Sequence, residues 1–215
     1  GCGSTSGGSS TTASGSTETA AAENGSAENT ASGDTLRVAL QQDIVSFDPA
    51  FAYDHTTNQV VDQVCESLLK FSSEGELEPM LASDWEAVDS TTYVYHIRDD
   101  VKFSDGNPMT MDDVLYSVQR HMDANLASNM AWFYANVASI QQTGDWEMTV
   151  KLSSPDAAWQ YAFATSAGDI IEKAYAEQNA DNLGGPGVGI VATGPYVYDN
   201  WVTGSEITLK SNENY

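Results

Sequence analysis

Leu36, Val38 and Leu40 alternate with Arg37, Ala39 and Gln41, the period-two pattern of a strand with one face in a core, before a loop at Phe47-Asp48-Pro49. From Thr57 to Leu69 the period changes. Val60, Val61, Val64, Cys65, Leu68 and Leu69 fall at helical spacing, with Thr56 or Thr57 available as a cap. The intervening Phe51-Ala52-Tyr53-Asp54-His55 follows neither period and reads as a loop. Lys70 to Trp85 carries Gly75 and Pro79, which mark turns around a short apolar helix. Tyr93, Tyr95 and Ile97 then alternate with Val94, His96 and Arg98 and predict a strand.

Val101-Lys102-Phe103 reads as the end of a strand, Ser104-Asp105-Gly106 as a turn, and Pro108 as a block on further sheet pairing. A helix is predicted over Met111–Met122: Thr110 can cap it, Asp112 and Asp113 suit the positive end of its dipole, and Val114, Leu115, Val118 and Met122 share a face. A polar loop follows and ends in Trp132-Phe133-Tyr134, three adjacent aromatics that cannot all enter one core from one element. Ile140, and then Trp146, Met148, Val150 and Leu152, alternate with polar residues around Gly144-Asp145 and predict a hairpin. Helices are predicted over 155–163, with Pro155 in the first turn, and over 172–178. Val197 to Val202 and Ile207 to Leu209 read as strands joined at Gly204.

Residues 1–33 are Gly, Ser, Thr, Ala and Asn with a few acids, no basic residue and no aromatic, so they cannot pack a core and read as a disordered tether. Eight Lys and Arg against 31 Asp and Glu give a formal charge of −23, which repels phosphate backbones and excludes nucleic acid as a partner. No stretch approaches the roughly 18 apolar residues of a membrane span. Cys65 lies in an apolar helical pattern and reads as a small buried hydrophobe, not a disulfide partner for Cys2.

The order Arg98-Asp-Asp-Val-Lys-Phe-Ser-Asp-Gly-x-Pro-x-Thr-x-Asp-Asp-Val114 resembles the signature segment of extracytoplasmic solute-binding proteins serving oligopeptide, dipeptide and nickel ABC importers. Gly75-x-Leu77-x-Pro79-x-Leu81-Ala82-x-x-Trp85 is similar to a second family segment, and Val191-Ala192-Thr193-Gly194-Pro195-Tyr196 to a third, with Ala192 in place of a Gly. The likeness runs from about Thr35 to Tyr215, and Gly1-Cys2-Gly3-Ser4 resembles the end of a bacterial lipobox, making Cys2 the expected lipidation site.

That resemblance implies a mixed α/β fold, the first lobe of a two-lobed, class II periplasmic-binding-protein-like architecture. Its sheet would come from 34–46 and 184–215, with an inserted α/β subdomain over 47–183. The pattern stops mid-run at Tyr215, which reads as a fragment lacking the second lobe. In the family the loop after the Asp-Pro turn lies against bound ligand, which implies ligand-facing roles for Tyr53, Asp54 and His55. The segment after the capped helix contributes an aromatic to the cleft, which points to Trp132 and Phe133; Ser166 is a further candidate. Asp54 suits a ligand's positive amino group, although the family holds a peptide's amino terminus with an Asp of the second lobe.

No catalytic constellation competes with binding. There is no Gly-x-Ser-x-Gly or His-Glu-x-x-His, and His55, His96 and His121 stand apart, so neither a catalytic nor a metal site is expected and no cofactor is implied. Gly184-Gly185-Pro186-Gly187-Val188-Gly189 lacks the Gly-Lys-Ser/Thr ending of a phosphate loop and reads as a linker. The expectation is a monomeric substrate-binding lipoprotein outside the cell that captures oligopeptides or dipeptides and delivers them to membrane permease subunits. Nickel chelates, sugars or other small solutes are the alternatives within that class. A lipid-anchored surface enzyme or adhesin is the alternative outside it; an enzyme needs a nucleophile and base, and an adhesin commonly shows repeats.

Overall fold

The computed structural model describes residues 18–20, 27–32, 34–40 and 42–215. Its largest sheet has five antiparallel strands, built from β1 (Glu18–Ala20), β2 (Ala27–Ser32), β3 (Thr35–Leu40) and two strands from the far end of the chain, β10 (Tyr196–Val202) and β11 (Glu206–Ser211). The order is β1-β2-β3-β11-β10, which closes the chain's end against its beginning. β11 pairs with β3 from Glu206↔Ala39 to Lys210↔Thr35, as the alternation at both ends predicts. Residues 18–20 and 27–32 correct the expectation of an unbroken tether. A strand added at an edge needs only backbone donors and acceptors, which Ala, Asn, Thr and Ser supply as well as any residue. Cys2 and its expected lipidation lie outside the described residues.

Helix α1 (His55–Val64) packs Val60, Val61 and Val64 onto this sheet, together with Phe47, Ile171, Ile190, Trp201, Ile207 and Leu209. The helix stops at Val64, five residues before the pattern predicts. Gly194 explains this: its amide takes the Val64 carbonyl at 2.9 Å, and a Cβ there would come within 2.5 Å of the Val64 backbone. Cys65 turns extended, and Leu68 and Leu69 enter a different core.

That second core fills a unit built on a four-stranded antiparallel sheet, in the order β6-β7-β9-β8: β6 (Ala82–Asp89), β7 (Thr92–Ile97), β8 (Val137–Gly144) and β9 (Glu147–Leu152). A two-stranded ribbon of β4 (Leu69–Phe71) and β5 (Leu77–Pro79) precedes it. The short apolar helix expected there is absent. Met80 and Ala82 donate backbone bonds to the Leu68 carbonyl, so Leu81 and Ala82 bury as extended chain, and so short an apolar run carries no period to distinguish the two outcomes.

Across this sheet lie α2 (Met111–Gln119), continued by one 3-10 turn to Met122, and α3 (Trp159–Ala162), shorter than the predicted 155–163. A reciprocal capping box starts α2: the Asp113 amide donates to the Thr110 hydroxyl at 3.3 Å, and the Thr110 amide to the Asp113 carboxylate at 2.9 Å. Trp159, Tyr95, Phe163 and Tyr134 meet edge to face in the centre, and the Trp159 indole donates to the Tyr95 hydroxyl at 3.1 Å. The chain leaves the first core between Cys65 and Leu68 and rejoins it between Ile170 and Ile171, before α4 (Lys173–Gln178). Thus α1 and α4 fall within 47–183 in sequence but pack with the large sheet.

Candidate functional site

The loop that carries Tyr53 is built from Asp48. Its carboxylate accepts from the Ala50 amide at 2.9 Å, starting a single 3-10 turn at Pro49–Phe51, and also grips Arg120. The Asn129 amide bonds the Ala50 carbonyl at 2.8 Å and so ties the 128–130 segment to the same loop. Tyr53 emerges from this turn 67% exposed, a large aromatic left in the open.

The three adjacent aromatics divide as their crowding demands. Tyr134 is buried, its hydroxyl donating to the Ala167 carbonyl, whereas Trp132 is 59% exposed and lies stacked on Phe133 with centroids 3.8 Å apart. Ser166 sits in a short turn capped by Thr165 and donates to the Asn58 side-chain oxygen at 2.6 Å. Tyr53, Trp132, Phe133 and Ser166 therefore line one cavity of about 330 Å³.

Asp54 and His55 do not join them. Asp54 caps α1, accepting from the Thr57 amide at 3.0 Å, and His55 is the helix's exposed first residue; neither lines the cavity. Their place in the lining is taken by residues one and two turns along the same helix face, Asn58 and Asp62, together with Asp169. The polar stripe Asp54, Asn58, Asp62 at intervals of four, opposite Val60, Val61 and Val64, is the signal that marks the first two. For Asp169 the signal is a lone acid in the apolar run Ala167 to Ile171.

The two carboxyls are electrostatically unusual. Asp62 is exposed along its helix, yet protein crowding its carboxyl raises that group to about 6. Burial first, and then the charges of Asp62 and Glu66, push Asp169 well above the usual carboxylate range. Among the described residues no group of three or more His, Cys, Asp or Glu could hold a metal ion, and none of the cavity's lining residues is Lys or Arg. His96 lies exposed between Asp84 and Glu147, and His121 is buried against Ser128 and Tyr134. The Cys65 thiol is buried and pushed up by that burial and by neighbouring acids, which leaves it unreactive.

A larger hollow of about 610 Å³ shares no lining residue with this cavity. It opens over Asp48, Tyr116, Arg120 and Asp181, where the two central charges already satisfy each other. The smaller cavity, with exposed aromatics and an unpartnered acid, offers more to a ligand.

A model of the bacterial extracellular solute-binding proteins, family 5 (middle part), matches residues 76–215. The chain belongs to this family. The oligopeptide-binding protein OppA of Bacillus subtilis is 29% identical over 197 residues, covering 84% of this chain and 36% of that protein. The solved structure of the Escherichia coli murein tripeptide binding protein MppA is 25% identical with a TM-score of 0.73, covering 82% of this chain and 38% of that one. Burkholderia pseudomallei OppA, 22% identical with a TM-score of 0.73, shares the fold over 82% of this chain and 38% of its own. The chain thus spans a little over a third of these family 5 relatives, which are named for the solutes they bind and not for reactions. No helix among the described residues is long and apolar enough to cross a membrane.

Proposed function

We propose that the intact protein is the substrate-binding lipoprotein of an ABC importer, a monomer that captures oligopeptides or dipeptides outside the cell and hands them unchanged to the membrane permease. The supporting observation is the cavity itself: two exposed aromatics, Tyr53 and Trp132, stand beside Phe133 and Ser166 in a chain related to oligopeptide and murein-peptide receptors. A receptor for peptides must exclude water around a polar chain while tolerating varied side chains. Flat aromatic walls do the first without demanding one shape, and backbone groups at a cavity's rim hold the peptide's amides.

On this reading the sheet of 34–46 and 184–215 is the base of the first lobe, and residues 47–183 supply the cleft wall, with α1 and α4 anchoring it to the sheet. A second lobe closes over the solute by hinge motion, burying the aromatics. The Ser- and Gly-rich segment behind a lipidated Cys2 tethers the receptor beside its permease. Calorimetric titration of the intact protein with a mixture of di- to pentapeptides, followed by recovery of the peptides, tests this. Saturable heat with every peptide recovered intact is expected. No heat and no change in melting temperature, or recovery of cleaved peptides, overturns it.

A further inference from the structure

Among the described residues, Oδ2 of Asp169 is the one buried side-chain polar atom without a hydrogen-bond partner. The residue is 4% exposed and lines the cavity that holds Trp132, Phe133 and Tyr53. Its own backbone is fixed, the amide bonding the Ser166 carbonyl at 3.2 Å and an isolated antiparallel bridge pairing it with Ser67. Two hydroxyls of the same lining are committed elsewhere: Ser166 donates to Asn58, and Ser67 donates to the Leu69 carbonyl. None of the described residues supplies the missing donor. A buried acceptor kept without a partner is costly, so it calls for an explanation in what arrives from outside.

Three further features agree on the chemistry of that arrival. Asp62 lines the same cavity from α1, and Glu66, just beyond the helix, acts on Asp169 through its charge. No Lys or Arg of the lining offsets these acids. The wall also carries Trp132, Phe133 and Tyr53, and the faces of Trp, Phe and Tyr attract cations. We propose that this cavity is a subsite for a protonated amine or guanidinium group of the solute, with Asp169 and Asp62 as its acceptors and Trp132, Phe133 and Tyr53 as its walls. The inference rests on the solute-receptor reading above and names the class of peptide taken: one with a basic side chain.

A dependence on pH follows. Burial and the neighbouring charges of Asp62 and Glu66 favour a proton on Asp169, while Cys65 and Tyr134, packed near it, are themselves pushed up and stay neutral. An arriving cation favours the ionised carboxyls instead, so binding releases protons and tightens as the pH rises past about 6, where Asp62 titrates.

The test uses the intact protein and tripeptides in matched pairs, Lys-Ala-Ala, Ala-Lys-Ala and Ala-Ala-Lys, each against its norleucine counterpart. For at least one pair the lysine form should bind about tenfold tighter at pH 8, a preference that narrows at pH 6. Calorimetry in buffers of different ionisation heat should show proton release with that lysine peptide and not with its partner. Asp169→Asn should abolish the ratio and Asp62→Asn reduce it; if Asp169→Asn does not fold, the wild-type ratio and proton count decide. Equal binding within every pair overturns the inference and leaves the receptor reading intact, whereas failure of all six peptides to bind overturns both.

Discussion

Arg120 donates from Nη1 and Nη2 to the two carboxylate oxygens of Asp48, at 2.6 and 2.8 Å, across 72 residues of chain. Both side chains are nearly sealed from water, and through them the end of α2 holds the turn that presents Tyr53. Removing one partner strands a buried charge. Arg120→Met should therefore lower the unfolding free energy by about 3–5 kcal/mol, read from urea midpoints. Adding Asp48→Asn should restore part of the loss, since no unpaired charge then remains, while the Ala50 amide keeps an acceptor.

Gly184 and Gly187 share a left-handed backbone, φ +83° and +81°, but not a setting. A Cβ on Gly184 would meet Ser46 Oγ at 2.3 Å and the Asp48 amide at 2.5 Å, whereas nothing lies within 4 Å of one on Gly187. Gly187→Ala should cost about 1 kcal/mol from its dihedral alone, and Gly184→Ala about 2–4 kcal/mol because the loop holding Asp48 must also move. Thermal melts of the two variants check the order; equal losses would contradict it.

His121 is buried against Tyr134 and Ser128, and burial lowers it to about 4 from an unfolded value near 6.5. The unfolded chain binds the proton more readily, so this contribution is whole above pH 6.5 and is lost as the pH falls towards 4. Asp62, raised to about 6, and Glu172, raised to about 7, act in the opposite sense, costing stability as the pH rises through their windows. Comparison with His121→Asn cancels those acids. The stability advantage of wild type over the variant should shrink by about 2–3 kcal/mol between pH 7.5 and 4, measured by urea unfolding.

Periodic stretches were legible in the chain, and stretches governed by distant contacts were not. β3, β7, β9 and α2 follow their alternation or heptad-like spacing, and the Thr110–Asp113 box was written in the residue types. The end of α1 was not, because Gly194, 130 residues later, decides it. At the site, the family resemblance pointed to Trp132, Phe133 and Tyr53, and these three line one cavity. The same resemblance pointed to Asp54, whose carboxylate instead caps the helix that begins one residue later. For Asp169 the lone acid in an apolar run is a signal of burial, but that no donor reaches its Oδ2 is a property of packing.

The central claim is that the wall carrying Trp132 is where solute is held. Acrylamide quenching of the intact protein, with and without a saturating peptide mixture and with Trp132→Phe subtracted to isolate that indole from the protein's other tryptophans, tests it most directly. Trp132 is 59% exposed without ligand, so its emission should be strongly quenched in the free protein and shielded once peptide is bound. Peptide binding by calorimetry that leaves Trp132 equally open to acrylamide would contradict the account.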